Sequence, residues 1–303
     1  MVSKNRPNIE DAPCSKLQTK LFLPANPECQ GGLRTRGYFK HSPADKPLVS
    51  VITIVLNGQR YLEQTIKSVI DQTYDNVEYI IIDGRSTDGT INIIKKYEHI
   101  IDYWISEPDK GIYDAMNKAI QIANGEWVSF MNAGDQFFGN DVVREVFESP
   151  PDGVDVIYGD TEIRYDGSGG IKKAGKVEQL WSGMIFCHQS AFCRGCLLRT
   201  YKFNTEYEIS ADFDFFYSLL TDGGSFLNRR ITISTVKSGG LSDRNRLKNV
   251  IENWSRVRRT HSSFWVHSYY ICRIVVSILK RMDKILLGKS ITSSIQKLKY
   301  RVH

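Results

Sequence analysis

The stretch VSVITIVLNGQRYLEQTIKSVIDQTYDNVEYIIIDGRSTD, from Val49 to Asp88, limits what this chain can fold into more than any other. Its first apolar run, Val49 to Leu56, is rich in β-branched residues and lacks strict alternation. A strand of that kind belongs in a parallel sheet covered on both faces. Asn57-Gly58 stops it. From Tyr61 onward, Leu62, Ile66, Val69 and Ile70 fall at three- and four-residue spacing, which predicts one face of a helix of about three to four turns. A second buried strand is predicted at Tyr79 to Ile82.

Crossovers between parallel strands are nearly always right-handed, so both strand ends open on the same side of the sheet. Ligands of open α/β sheets bind outside those carboxyl ends, which puts Asp83 where a nucleotide would be read. The following loop, Gly84 to Gly89, supplies small residues that let a backbone approach a ligand. Ser86, Thr87 or Asp88 can cap the helix expected from Thr90.

Further along, Ile91 to Tyr97 reads as helix and Ile101 to Ile105 as a short strand. Pro108 keeps Ser106 to Gly111 out of a helix. A helix beginning near Ile112 can turn Ala115, Met116, Ala119, Ile120 and Ala123 to the core, and its free N–H groups suit a phosphate. Trp127 to Met131 is the next buried strand and delivers Asn132-Ala133-Gly134-Asp135 to the same sheet edge. A helix at Asp141 to Phe147, a break at Pro150-Pro151 and a strand at Val154 to Tyr158 follow; residues 161 to 182, rich in Gly and Lys, read as a hairpin or flexible loop. The apolar run Phe213, Phe215, Phe216, Leu219, Leu220 is helical, and Asp212 or Asp214 can cap it.

Taken together, VSVITIVLNG, SVIDQTYDNVEYIIIDGRSTDGT, SEPDKGIYDAMNKAI and NGEWVSFMNAGDQFF resemble the nucleotide-binding half of a family 2 glycosyltransferase of the GT-A fold, in the bacterial polysaccharide branch. The resemblance covers roughly Val49 to Phe138, with weaker matches to about Ser218. It implies a Rossmann-like α/β fold with a mixed, mainly parallel sheet flanked by helices. It also implies a hexosyltransferase-like enzyme that takes a nucleoside-diphosphate sugar, most often a uridine one, and inverts the anomeric carbon. The donor would be held by Val55, Asn57, Asp83, Ser86, Asp109, Lys110, Gly111, Asn117, Asn132 and Ala133.

In this family the Asn132 to Asp135 position carries a D-x-D or D-D motif for a divalent cation, Mg²⁺ or Mn²⁺. Here only Asp135 remains, with Gly134 in place of the first carboxylate; Mg²⁺ often manages with one or two carboxylates plus phosphate oxygens. The family's acidic Glu-Asp motif matches Ala211-Asp212, making Asp212 the candidate base, with Asp214 as its competitor. His188 and Gln189 would contact the acceptor, a saccharide such as one carried on a polyprenyl diphosphate.

The net charge of +6 hides an asymmetry. Residues 246–303 hold 13 Lys and Arg against only Glu252 and Asp283, while residues 1–245 are acidic overall. A basic tail on an acidic body suits an anionic surface. In that tail, Phe264, Trp265, Tyr269 and Tyr270 precede the apolar run Ile271 to Leu279, which Arg273 interrupts and Lys280, Arg281 and Lys284 follow. About 20 apolar residues are needed to span a bilayer, so a helix lying on a membrane surface, or one docked on the protein's own core, fits better.

Three segments are expected: an extended, mostly solvated arm over residues 1–46, a catalytic domain over 47–245 divided at 138/139 into nucleotide and acceptor halves, and a basic helical tail over 246–303. No signal-peptide run opens the chain, and the six cysteines show no pairing pattern, which suggests a cytoplasmic protein at the inner face of the membrane. Cys193-Arg194-Gly195-Cys196 has no second pair for zinc and is not expected to open a thioredoxin-like helix after a strand. A dinucleotide oxidoreductase would need G-x-G-x-x-G after the first strand, and Leu56 to Arg60 lacks it. No nucleic-acid-binding signature occurs; the competing reading is a non-catalytic α/β protein that binds membrane or anions through its tail.

Overall fold

In the computed structural model, residues 29–43, 46–149, 152–165 and 168–286 are described. Residues 1–28, the Pro150-Pro151 break and the tail beyond 286 lie outside them.

Strands β2 (Val49–Val55), β3 (Val77–Asp83), β4 (Tyr103–Ser106) and β5 (Trp127–Phe130) run parallel, with β2 between β3 and β5. Every residue of β2 and β3 is buried. Alternate residues feed two cores. Ile52, Ile54, Ile80 and Ile82 join one with helix α3 (Ile112–Ile122), and Val49, Val51, Tyr79 and Ile81 join the other with helix α1 (Leu62–Ile70). Helix α1 is shorter than its spacing suggested because Asp71 closes it. Helix α2 (Thr90–Lys96) follows β3; Gly89 is its N-cap, and Asp88 just before it accepts the Thr90 N–H at 2.9 Å.

The sheet continues through β9 (Ala191–Arg194), which is antiparallel to both β5 and β7 (Val156–Tyr165). β7 is in turn parallel to β10 (Phe226–Lys237), whose outer edge carries the short antiparallel β6 (Gln136–Phe137). Two reversals restore the direction, so β7 and β10 end on the same edge as β2 to β5. β7 runs beyond Tyr158 because β8 (Ser168–Lys172) folds back on it as a hairpin. Helices α4 (Val142–Phe147), α5 (Gly195–Tyr201) and α6 (Ala211–Thr221) complete the layers. The C-x-x-C pair therefore does fall at a strand-to-helix turn, with Cys193 on β9 and Cys196 on α5. Burial pushes the Cys193 thiol well up.

The described part of the N-terminal arm is docked rather than solvated. Strand β1 (Gln30–Gly31) adds to the edge of β4, and Arg34, 4% exposed, forms an ion pair with the buried Glu78 and donates to the Ile122 carbonyl at 2.7 Å. Glycine allows this approach: a Cβ on Gly31 would come within 2.5 Å of the Trp104 ring nitrogen. Lys40 pairs with Asp102 at 2.9 Å.

The C-terminal segment also joins the body. Helix α7 (Leu241–Arg244) leads into α8 (Arg246–Val257) and α9 (Phe264–Leu286). Val250, Val257, Val266 and Tyr270 enter the first core. Among the described residues no helix is long and apolar enough to cross a membrane. Lys280 is exposed, whereas the side chains of Arg281 and Lys284 lie outside the description.

Candidate functional site

At the carboxyl edge, the loops after β2 and β3 are stitched together. Asn57, with φ +52°, accepts the Thr87 N–H at 2.9 Å and donates its own N–H to Ser86 Oγ at 2.7 Å. Gly58 N–H donates to Thr90, and Gln59 and Gly89 bond across the same seam. Beneath them Asp83 is 0% exposed and accepts from Ser86 N–H at 2.9 Å and Ser106 Oγ at 2.6 Å. Asp83 thus braces the loop from below instead of standing open to a base, a correction to its expected role. Val55 is likewise buried as the last residue of β2.

Asp109 sits over this loop: a Cβ on Gly84 would come within 2.5 Å of its carboxylate. Asp109 also accepts the Gly111 N–H, and Lys110 N–H donates to Asp114, so the turn into α3 is held open at φ +120° for Gly111. Asn117 does different work. Its amide donates to the Phe203 carbonyl and accepts the Phe203 N–H, both at 2.8 Å, clamping α3 to the chain after α5. With both ends of its amide engaged, Asn117 is a strut of the fold, not a group presented to a donor.

Past β5, Gly134 turns at φ +105°, and Asp135 follows with its carboxylate shielded. Burial pushes the Asp135 carboxyl up to about 6, against the hydrogen bond from Gln189 and the nearness of His188. Gln189 Nε2 donates to Asp135 Oδ2 at 2.8 Å. The neighbouring His188 lies 3.1 Å from Asp212 Oδ2 through Nδ1, and 3.2 Å from Asn132 Nδ2 through Nε2. The tautomer that satisfies both contacts carries its proton on Nδ1, donating to Asp212 and accepting from Asn132. One short turn, His188–Ser190, thereby grips the carboxylates of two distant segments. Ala133 sits beside Gly58, joining this half of the edge to the stitched loops.

Asp212 also accepts the Phe213 N–H at 2.9 Å, with the Tyr113 hydroxyl 3.2 Å away. Asp214, its competitor, points elsewhere: it pairs with Arg256 of α8 at 2.9 Å, and Arg256 also reaches Ser218. That pairing assigns Asp214 to the α6–α8 contact.

Three residues that sequence reasoning passed over matter here. Glu252 of α8 accepts the N–H groups of Glu208, Ile209 and Ser210 at 3.2, 3.0 and 2.9 Å, fixing the turn that launches α6 and Asp212. Its signal was its rarity, one of two acids in a basic segment. Tyr61, whose Cβ faces Gly134, carries the exposed Lys237 ammonium 5.5 Å from its ring centroid, at the end of β10 on this same edge. No sequence spacing announces that pair.

No group of three or more His, Cys, Asp or Glu side chains able to hold a metal exists among the described residues. Among the described residues, one oxygen of Asp135 has no protein partner, and Asn132 Oδ1 is buried and unpartnered. Two hard oxygen donors fit Mg²⁺ or Mn²⁺ only where a ligand's phosphates supply the remaining positions.

The comparisons with known proteins agree with this architecture. An uncharacterized glycosyltransferase of Mycobacterium tuberculosis is 44% identical over 104 residues, 34% of this chain and 40% of the relative, so the match spans well under half of that protein. A PGL/p-HBAD biosynthesis glycosyltransferase of Mycobacterium bovis is 31% identical over 182 residues, covering 56% of this chain and 68% of the relative. Among solved structures, a mannosyltransferase from Pyrobaculum calidifontis in complex with GDP-Man and Mn²⁺ aligns with TM-score 0.60 at 15% identity, over 85% of this chain and 80% of that one. S. aureus TarS in complex with UDP aligns with TM-score 0.53 at 16% identity, over 68% and 65%. At such identities these structures speak to fold, and the fold is GT-A. The Glycosyl transferase family 2 profile matches residues 50–207, more than half of the 303-residue chain, and the chain belongs to that family of glycosyltransferases.

Proposed function

We propose that this glycosyltransferase moves a sugar from a nucleoside-diphosphate sugar, a uridine one, to a hydroxyl of a saccharide acceptor with inversion at the anomeric carbon. The observation that carries the reading is the continuous contact chain Asp135–Gln189–His188–Asp212, which ties a donor-side carboxylate to an acceptor-side one. The two solved neighbours, one with UDP and one with GDP-Man and Mn²⁺, support the donor class.

In this mechanism the stitched loops at Asn57 and Ser86 and the turn at Asp109, Lys110 and Gly111 hold the nucleotide and sugar, with Asp83 bracing them. Asp135 and Asn132 would hold Mg²⁺ or Mn²⁺, which would supply positive charge to offset that developing on the departing diphosphate. Asp212 accepts the proton of the acceptor hydroxyl as its oxygen bonds to the anomeric carbon and the bond to the diphosphate breaks. The Nδ1–H of His188 and the N–H of Phe213 fix the carboxylate for that attack. Catalysis then rests on fixed dipoles and charges arranged before the substrate arrives.

The acceptor in this reading is a saccharide on a polyprenyl diphosphate, met at the inner face of a bacterial membrane during surface-polysaccharide assembly. The basic, aromatic C-terminal segment supports it. Thermal melting against a panel of nucleoside-diphosphate sugars, with and without Mn²⁺, tests the donor side. One donor should raise the melting temperature by mass action, more so with the ion. A flat panel sinks the reading.

A further inference from the structure

Helix α9 presents two faces with different chemistry. Val266 and Tyr270 are buried in the body, and three hydrogen bonds fasten the helix there: Tyr270 Oη to the Trp181 carbonyl at 2.6 Å, and Arg273 and Tyr269 Oη to the Ser182 carbonyl at 2.7 and 3.2 Å. The outward face carries Phe264 and Trp265, 75% and 80% exposed, then Ile271, Val275, Val276 and Leu279, with no acidic residue among them. Beside that apolar strip runs an open groove of about 540 Å³, lined by Arg246, Tyr269, Arg273, Val276, Ser277 and Lys280.

Three cations border this groove, and among the described residues no carboxylate lines it. Arg246 has only a loose, exposed pairing with Asp243 at 3.9 Å, and no described carboxylate pairs with Lys280. Such a pairing is weak, so the guanidinium remains available to an external anion. Apolar side chains next to unneutralised cations match an interface where hydrocarbon meets phosphate. Since no described helix can cross a bilayer, α9 would lie along the surface. Its anchor matters too: Ser182 stands six residues before His188, so the helix is tied to the segment that forms the acceptor wall.

We propose that the groove between α8 and α9 is a phosphate-binding site for anionic lipid headgroups of the bilayer, and that the outward face of α9 seats in the headgroup layer. This deepens, and rests on, the reading of the acceptor as lipid-borne. The groove takes the lipid phosphate, the strip takes the apolar interface, and the hydrogen bonds at Ser182 hold the active-site edge at a fixed place relative to the membrane.

The test is sedimentation of the full chain with phosphatidylcholine vesicles and with mixed phosphatidylcholine–phosphatidylglycerol vesicles. The wild type should bind the mixed vesicles and hardly the neutral ones. Each basic residue near an anionic surface is worth roughly fivefold in partitioning, so the Arg246→Ala/Lys280→Ala pair should weaken binding by roughly 25-fold. Val275→Glu with Leu279→Glu should abolish it. Both substituted pairs lie on exposed surface, and an unchanged melting temperature verifies their fold. Inorganic phosphate should release the protein from the vesicles no more than chloride of the same ionic strength does; a greater release would assign the groove to free phosphate and overturn the proposal.

Equal binding by the wild type and the Arg246/Lys280 variant, equal binding to both vesicle types, or capture of RNA in preference to vesicles would each overturn the proposal. Donor-induced melting shifts, measured on the same samples, report separately on the transferase reading. Lipid binding without a donor shift would sink that reading and leave the groove standing.

Discussion

Replacing Glu252 by Gln tests how the catalytic edge is held. The carboxylate accepts three backbone N–H groups, at 3.2, 3.0 and 2.9 Å, in the turn just before α6. A glutamine has the same shape but one acceptor oxygen, and its NH₂ would face a backbone donor. Two bonds fall from charge-assisted to neutral strength and the third is lost, which amounts to about 2–3 kcal/mol for a partly exposed group. For a domain of this size that is a fall of about 4–12 °C in melting temperature. The turn also positions Asp212, so donor turnover in the presence of acceptor should drop at least about tenfold, while donor affinity by calorimetry stays within twofold. An unchanged melting temperature together with unchanged turnover would refute the claim that α8 holds Asp212, the proposed base, in place.

Gln189→Ala removes a hydrogen bond that favours the ionised Asp135, whose carboxyl burial already holds up at about 6. In the proposed mechanism metal-supported donor binding needs the carboxylate, so it should strengthen as pH rises through 6; in the variant, titration of Mn²⁺-dependent donor affinity should show that limb about one unit higher. Arg34→Ala leaves Glu78 buried without its cation and should cost about 3–5 kcal/mol, read by denaturant melts, with donor affinity at the far edge of the sheet unaffected in the folded fraction. Asp214→Asn should lower stability through the lost Arg256 partner yet leave turnover within a few-fold, checked by assaying below its melting temperature.

The parallel sheet was legible because its strands bury both faces, and nothing else explains seven unbroken buried residues in each of β2 and β3. Helix α3 was legible from the same arithmetic, since Ala115, Met116, Ala119 and Ile120 all reach the core. What spacing could not show were partnerships between distant residues. Arg34 looked like any arginine in an irregular arm until Glu78, 44 positions away, was seen beside it. The same holds for Glu252 with residues 208–210 and for Asn117 with Phe203. Asp83 was placed on the right edge, but which atoms enclose it depends on Ser106, contributed by another strand.

The resemblance to family 2 enzymes singled out Asp212, Asp135, His188 and Gln189, and their mutual contacts were outside its reach. The tail is basic and aromatic in its sequence. Its inward face, carried by Val250, Val257 and Tyr270, became visible only once there was a core for it to join.

The account stands most directly on Asp212 as the acceptor of a proton in sugar transfer. Nucleoside diphosphate release from the donor should be followed with acceptor and Mn²⁺ for the wild type and for Asp212→Asn, with donor affinity measured in parallel. A loss of turnover by about 10² or more with donor affinity preserved is the predicted result, in line with removal of a general base. Turnover by Asp212→Asn within a few-fold of the wild type would contradict it.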